Sequence, residues 1–540
     1  MNEPADTPDG SPRADRSAAE LEAARLRYEL SRLRDRRPVR AALALTSWRR
    51  DGAAAAWQTL RGRPPRWDAA GPDDVPARPR YPHLRVAHLS PDPVSAGVAP
   101  SLRIRPGDVR AVRRDRVDLL LVDDAGWEAG ALAEAVAAAR DVGAAVVAVG
   151  GPAAAALAAA GVRPTLRVAL AGPDLGGDPG EEPPRVAPHI EAESGVAERA
   201  ALRWLPAVDP RVDAPVGCDP RVVDGRGLHL AAVLRHAARG EVPILPADAV
   251  LREALGPVAD DVLVESATGD TAAAVDARVA ALREDGDALA ALSVRLRRHV
   301  LRTHGRAARL DEVVEALGLD VPPRRRVSLL LATRRPELLH QVTADLARQT
   351  QEDLELVLAV HGDEPVPDRL ALTPAAVVQV GAERPLGAVL NAALDASTGG
   401  LVAKIDDDDR YGRHHLDDLV LALDYSGAEV VGKRRHAVHD VAAGTLRVQS
   451  GQHEERWEDH LPGATMLVRG EVLRALRWRL VPNAVDTELV RAVHLAGGAC
   501  YSTHRFGFVR TRHGDHTFAG DASLGGAALS PADLAAYLDV

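Results

Sequence analysis

The stretch Leu401-Val402-Ala403-Lys404-Ile405-Asp406-Asp407-Asp408-Asp409-Arg410-Tyr411-Gly412 decides the fold. A short, mostly apolar segment with the look of a buried strand runs straight into four carboxylates. Adjacent carboxylates repel one another, so a fold keeps them at the end of a buried strand only where something positive arrives. Extended backbone puts alternate side chains on one side, which brings Asp406 and Asp408 together into a cleft. Carboxylate oxygens suit Mg²⁺ or Mn²⁺, with waters and substrate phosphates completing the shell. The carboxyl end of a parallel strand is also where α/β sheets bind ligands. The competing reading is a solvated acidic loop or helix N-terminus, and the buried strand before the run speaks against it. Strict alternation places Lys404 on the side of Asp406, whereas a twist or bulge at the strand end turns it away. Its charge either offsets the run for a ligand or makes a structural salt bridge.

Upstream, the same unit reads as strand Val327–Leu331, helix Pro336–Gln349, strand Leu354–Val360, strand Ala376–Val380 and helix Leu386–Ala396. Leu338, Leu339, Val342 and Leu346 share one helix face. This is a compact α/β nucleotide-binding half. Val321-Pro322-Pro323 and the arginines after it mark its start, giving a domain over 325–530. Before it, residues 81–320 alternate short apolar strands with Ala-rich helices. Strands are expected at Leu84–Leu89, Val117–Val122, Ala144–Val149, Thr165–Leu170 and Val242–Pro246, and helices at Ala131–Asp141, Gly227–Arg239 and Thr271–Ala291. The pattern is doubly wound α/β with parallel strands. No Gly-rich phosphate loop stands out there, since Gly150-Gly151 lacks the spacing of a dinucleotide fingerprint. Residues 17–80 read as a helical segment with a Pro-rich linker, and 1–16 as a disordered tail.

Composition narrows the classes. Of 540 residues, 46% are hydrophobic and 27% charged, which are globular proportions. A net charge of −10 gives no electrostatic reason to coat nucleic acid or an anionic membrane. Cys218 and Cys500 are too far apart in sequence for a disulfide framework or a zinc spacing and suit a reducing cytosol. No run of 18 apolar residues exists, so no transmembrane segment is expected. The chain is rich in Ala, Arg, Gly and Pro, and Lys404 and Lys433 are its only lysines. A residue type that survives such bias so sparsely points to chemistry at its position.

Several motifs follow in order: LLLATRRPELL (329–339), LGAVLNAALDASTGGLVAKIDDDDRYG (386–412), HLDDLVLAL (415–423) and SGAEVVGK (426–433). LPGATMLVRGEVL (461–473), VDTELVRAVHLAGGACYSTHRFGFVRTR (485–512) and HGDHTF (513–518) complete the set. Together they resemble family-2 glycosyltransferases of the GT-A fold, hexosyltransferase-type enzymes of bacterial polysaccharide biosynthesis. The resemblance implies a metal-dependent inverting enzyme that moves a sugar from a nucleotide-diphosphate donor to a glycan or lipid-linked acceptor. It places a divalent cation, Mn²⁺ or Mg²⁺, on Asp406 and Asp408, with His516 as a further metal ligand and His513 near it. It places the base on Asp486, with Glu488 and Asp459 the next carboxylates to consider. As a structural alternative, Asp486 caps a helix Thr487–Leu495. Donor contacts are expected from Thr333, Arg335, Asp363, Asn391, Lys404, Asp406 and Asp407, and Arg334 borders the same loop. Many members carry Asp-Asp-Gly-Ser after the second strand; His361-Gly362-Asp363 stands here instead. Trp457 lies on the expected acceptor side.

LPAVDPRVDAP (205–215) and RRHVLRTHGRAARLDEVVEALGL (297–319) are similar to parts of GT-B-like glycosyltransferase modules. The alternatives are therefore a dual glycosyltransferase with both modules active, and a non-catalytic carbohydrate-binding scaffold. A nucleotidyltransferase would want a glycine-rich basic loop after the first strand, and ATRRPELL has no glycine. The expected location is the cytoplasm, at the inner face of the membrane for a lipid-linked acceptor.

Overall fold

A computed structural model of the chain describes residues 84–89, 101–104, 112–113, 117–122, 127–149, 151–160, 164, 166–170, 202–204, 220–266, 269–319, 326–449, 453–513, 528–530 and 533–540. The expected helix and linker over 17–80, and His516, lie outside them. The chain forms two compact units, one over Pro76–Arg324 and one over Arg325–Leu423 with Gly427–Asp539.

In the first unit, strands β1 (Val86–His88), β2 (Ser101–Arg103), β3 (Leu119–Val122), β4 (Ala145–Val149), β5 (Leu166–Leu170) and β6 (Leu202–Trp204) form an all-parallel sheet of order β2-β1-β3-β4-β5-β6. Strand alternation decides what covers each face. Ala87, Leu120, Val122 and Val146 pack with Leu132 and Val136 of helix Ala129–Asp141. The intervening Val86, Leu119, Leu121 and Val147 pack with Leu310 and Val313 of helix Arg306–Leu317. A smaller parallel sheet holds β7 (Arg221–Asp224), β8 (Glu241–Pro246) and β9 (Leu263–Val264). The helix expected over Thr271–Ala291 is two helices, Thr271–Glu284 and Gly286–His304. Asp285 breaks it, because its carboxylate accepts from Ala288 N at 2.9 Å and so caps the second helix.

The second unit contains β10 (Val327–Thr333), β11 (Leu354–His361), β12 (Ala376–Val380), β13 (Leu401–Ile405), β14 (Arg410–Tyr411), β15 (Val430–Gly432), β16 (Ala437–Asp440), β17 (Thr445–Val448), β18 (Arg456–Trp457), β19 (Leu467–Arg469), β20 (Cys500–Ser502), β21 (Phe508–Arg512) and β22 (Ala528–Leu529). Its main sheet has the order β12-β11-β10-β13-β19-β15-β20-β18. β10 is parallel to β11 and β13, whereas β19 runs antiparallel to β13 and β15. β10 and β11 are mostly apolar and buried on both faces, as central parallel strands are. The chain leaves β10 outward through β11 and β12 and returns to β13 on the other side. That reversal makes a topological switch point at the carboxyl ends of β10 and β13. A second sheet, β14-β21-β16-β17-β22, stands beyond the acidic run. Among the described residues no helix is long and apolar enough to cross a membrane.

Candidate active site

β10 ends at Thr333 and β13 at Ile405, so Thr333, Arg335 and the acidic run meet at the switch point. Residues 407–409 form a turn, not extended backbone. Period-two alternation ends with the strand, so the turn and not the pleat sets where Asp408 lies relative to Asp406. Asp406 turns back to pair with Lys404 Nζ, which resolves the direction of that lysine. Asp407 accepts from Thr333 Oγ1 at 2.5 Å and pairs with Arg335, whose Nη2 also lies 2.8 Å from Asp408 Oδ2. Arg335 N in turn donates to Thr333 Oγ1 at 2.8 Å, so the loop after β10 is knitted to the turn.

Asp409 is buried and accepts from Thr511 N at 2.9 Å. Burial, and then Asp406 and Asp408, push its carboxyl well above the usual range. Burial, with Asp408 adding to it, also holds Asp407 above that range despite Thr333 and Arg335. For Lys404, burial alone would lower the pKa, but Asp406, Asp486 and Asp409 outweigh it and keep the amine above its ordinary value. The turn is braced from behind by buried Asp345, which accepts from Arg410 Nε at 2.7 Å and Tyr411 N at 3.1 Å.

Asp486 arrives from a different element. Helix Val485–Leu495 begins after Ala484, which takes a left-handed conformation (φ 56°) and makes no side-chain cap. Asp486 is therefore not the cap of Thr487–Leu495; it sits in the first turn, where the helix dipole favours a carboxylate. Its Oδ2 accepts from Gly463 N at 3.0 Å and its Oδ1 from Thr487 N at 3.0 Å. A Cβ placed on Gly463 would lie 3.1 Å from Lys404 Nζ and 3.2 Å from Asp486 Oδ2. Lys404 thus stands between the acidic turn and Asp486, and a side chain at 463 would have to press one of them back by a few tenths of an ångström. His460 is half-buried nearby; burial and Arg434 lower its pKa, while Asp486 and Asp459 work against that.

The remaining candidates are placed as follows. Glu488 faces Arg479 at 3.3 Å, and Asp459 is exposed. Asn391 Nδ2 donates to Trp478 O at 2.7 Å and Asn391 Oδ1 accepts from Trp478 N at 2.9 Å, so both ends of this amide tie helix Leu386–Asp395 to the chain at Trp478. Arg334 Nε donates to His361 Nδ1 at 2.9 Å, and His361 Nε2 donates to Arg384 O at 2.8 Å. Burial, with Arg334 beside it, lowers the His361 pKa and favours this neutral ring. Asp363 is exposed, two residues past β11. The Trp457 ring meets Tyr501 edge-on at 5.3 Å. Sequence reasoning missed Gly463 and Tyr411. The signal for Gly463 was its place in Leu461-Pro462-Gly463, while nothing marked the Tyr411 hydroxyl.

Five carboxylates, Asp406 to Asp409 and Asp486, meet two cations, Lys404 and Arg335, through contact or close approach. Burial first, and then Asp406 and Asp408, raise the Asp409 carboxyl, against which Thr511 N and Arg510 act. Among the described residues no three His, Cys, Asp or Glu side chains form a ready-made metal cluster. A cation held jointly with substrate phosphates needs only one or two carboxylates, so the donor set fits Mg²⁺ or Mn²⁺.

No protein-family model and no curated protein matches the chain. Among solved structures, S. aureus TarS is 17% identical over 35% of this chain and 37% of that chain, with a TM-score of 0.29. S. aureus TarS 1-349 in complex with UDP-GlcNAc is 16% identical over 36% of this chain and 61% of that chain, at 0.29. The same fragment in complex with UDP is 17% identical over 35% and 60%, at 0.27. The chain thus spans less than two thirds of the length of the chains it matches. Likeness at these TM-scores carries no argument, and the functional reading rests on the residues above.

Proposed function

We propose that the second unit is a metal-dependent inverting glycosyltransferase of the family-2, GT-A type. It moves a sugar from a nucleotide-diphosphate donor to a glycan or lipid-linked acceptor of a bacterial cell surface. One observation carries the reading: Asp486, held by Gly463 N, approaches the acidic turn across Lys404 at the sheet's switch point. Asp406 and Asp408 are the metal-holding residues, and the cation, when bound, supplies Lewis-acid stabilisation of the leaving diphosphate. Asp486 accepts the proton of the acceptor hydroxyl as that oxygen attacks the anomeric carbon. The carbon–oxygen bond to the diphosphate breaks as the new one forms on the opposite face, which inverts the centre. Thr333 and Arg335 hold Asp407 and so shape the donor side of the cleft.

Thermal shift of the full chain with a panel of nucleotide-diphospho-sugars, with Mn²⁺ and with EDTA, tests this. Stabilisation by one donor that EDTA abolishes is the expected result. Equal stabilisation in EDTA sinks the metal role, and no stabilisation by any donor sinks the glycosyltransferase reading.

A further inference from the structure

The Tyr411 phenol occupies a break in the main sheet. β13 and β19 pair antiparallel with Leu401 opposite Arg469, Val402 opposite Val468 and Ala403 opposite Leu467. The ladder continues with Lys404 N donating to Met466 O at 3.1 Å. Continued in that register the following bond would run from Asp406 N to Ala464 O, but Gly463–Thr465 is a 3-10 turn and not extended strand. Instead Asp406 N donates to Tyr411 Oη at 2.9 Å, and Tyr411 Oη donates to Ala464 O at 3.2 Å. The ladder ends at that 3-10 turn, and the Tyr411 hydroxyl bridges the two segments where each enters its functional turn. On one side the chain enters Asp406–Asp409; on the other lies Gly463, whose amide holds Asp486.

We infer that Tyr411 is a positioning residue: its hydroxyl is a wedge that sets the separation between the acidic turn and Asp486. The inference rests on the proposed function for what that separation serves. The wedge is well built for the task. Tyr411 is fully buried, and its ring is fixed edge-on to His415 at 5.2 Å and tilted against Phe508 at 5.4 Å. The backbone of the same residue is anchored by Asp345. Both functions of the hydroxyl, acceptor and donor, are used, so no rotation of it is free. Without the wedge, Asp406 N and Ala464 O are either left unpaired or close on one another. Closure would carry Asp406 towards Gly463 and crowd Lys404 and Asp486 in the space that glycine leaves.

Tyr411→Phe keeps the ring and removes only the wedge. Misplacing reacting groups by about 1 Å costs on the order of 10²-fold in rate. The expected result is a kcat lower by about 10- to 100-fold, with the donor KM within about twofold of wild type. A merely structural role would not produce that split. Gly463→Ala approaches the same gap from the other side, with its Cβ 3.1 Å from both Lys404 Nζ and Asp486 Cβ. It should give the same split, and it decides the matter if Tyr411→Phe does not fold. Wild-type kcat in either folded variant, or equal loss of donor affinity and rate, overturns the inference. If the wild-type chain transfers no sugar from any donor, the proposed function fails instead. The wedge is then read from a crystal structure of Tyr411→Phe, where an unchanged gap between Asp406 N and Ala464 O overturns it.

Discussion

Glu355 and Asp409 are buried carboxylates of the same unit, and their surroundings treat them in opposite ways. Glu355, at the amino end of β11, accepts from Ser328 Oγ, from Thr398 N at 2.5 Å, from Thr398 Oγ1 at 2.7 Å and from Gly399 N at 2.9 Å. Burial alone would raise its pKa, but these donors outweigh burial and hold it below the ordinary value. Asp409 is met by the Thr511 amide and faces Asp406 and Asp408, so burial and repulsion push it well above. The fold can satisfy a buried carboxylate from four directions where the task is to tie strands together. At the acidic turn it leaves buried carboxylates facing one another, the arrangement on which the proposed metal and donor site rests.

The contrast is broken most severely at the carboxylates assigned to chemistry. Asp486→Asn keeps an acceptor for Gly463 N, so folding and donor affinity should stay near wild type while transfer falls by about 10²–10⁴-fold. Donor titration beside product formation measures both. A wild-type rate would move the base elsewhere. Asp408→Asn should act on binding: with donor at about 100 times Kd, roughly 2.7 kcal/mol of ligand stabilisation should disappear, as it should for wild type in EDTA. Thermal shift reads that loss, and undiminished stabilisation would remove Asp408 from the metal site.

Glu355→Gln should cost about 2–3 kcal/mol of stability at pH 7, since the amide nitrogen meets donors and hydrogen bonds to a charge are lost. Because the folded pKa of Glu355 is depressed, its contribution is present above the unfolded value near 4.5 and is lost as pH falls through the folded value. The variant and wild type should therefore converge in acid. The smallest effect belongs to Asp409→Asn, and its sign is opposite. A carboxyl whose pKa is raised on folding costs stability once pH exceeds the unfolded value of about 3.8, increasingly so up to the folded value. Asp409→Asn should be more stable than wild type at neutral pH, on the order of 1 kcal/mol, with the gain gone below pH 4. Denaturant midpoints across pH check both variants; a gain for Glu355→Gln or a loss for Asp409→Asn would erase the contrast.

The strand–helix order of the second unit was legible as far as β13, where its signals are local; β14 to β22 were not read from the sequence. Apolar runs such as Val327–Leu331 and the helical face of Leu339, Val342 and Leu346 appear where the periodicity places them. The start of helix Val485–Leu495 was missed by two residues, because Ala484 enters it through a left-handed turn that no composition cue marks. In the first unit, β2, β6, β7 and β9 escaped notice; they are short, and β2, β6 and β7 carry polar residues, so none reads as an apolar strand. Asn391 was legible as an unusual polar residue, but its engagement by the Trp478 backbone depends on a contact 87 positions away.

Local pattern was enough to establish that a buried strand ends in four carboxylates at the carboxyl edge of an α/β sheet, while Asp486 at the start of a later helix came from the family resemblance. Periodicity and residue chemistry carry that information within a few neighbours. Which carboxylate meets which cation was decided only in three dimensions. The acidic residues leave the strand in a turn, where side-chain direction follows the local backbone and not a period of two. Their partners Thr333 and Arg335 lie more than 70 positions away in sequence. The register of β13 against β19, the bridge that the Tyr411 hydroxyl makes between Asp406 N and Ala464 O, and the glycine between Lys404 and Asp486 are likewise long-range facts. They exist once the sheet has assembled, because hydrogen-bond register and close approach are properties of paired strands and not of either strand alone.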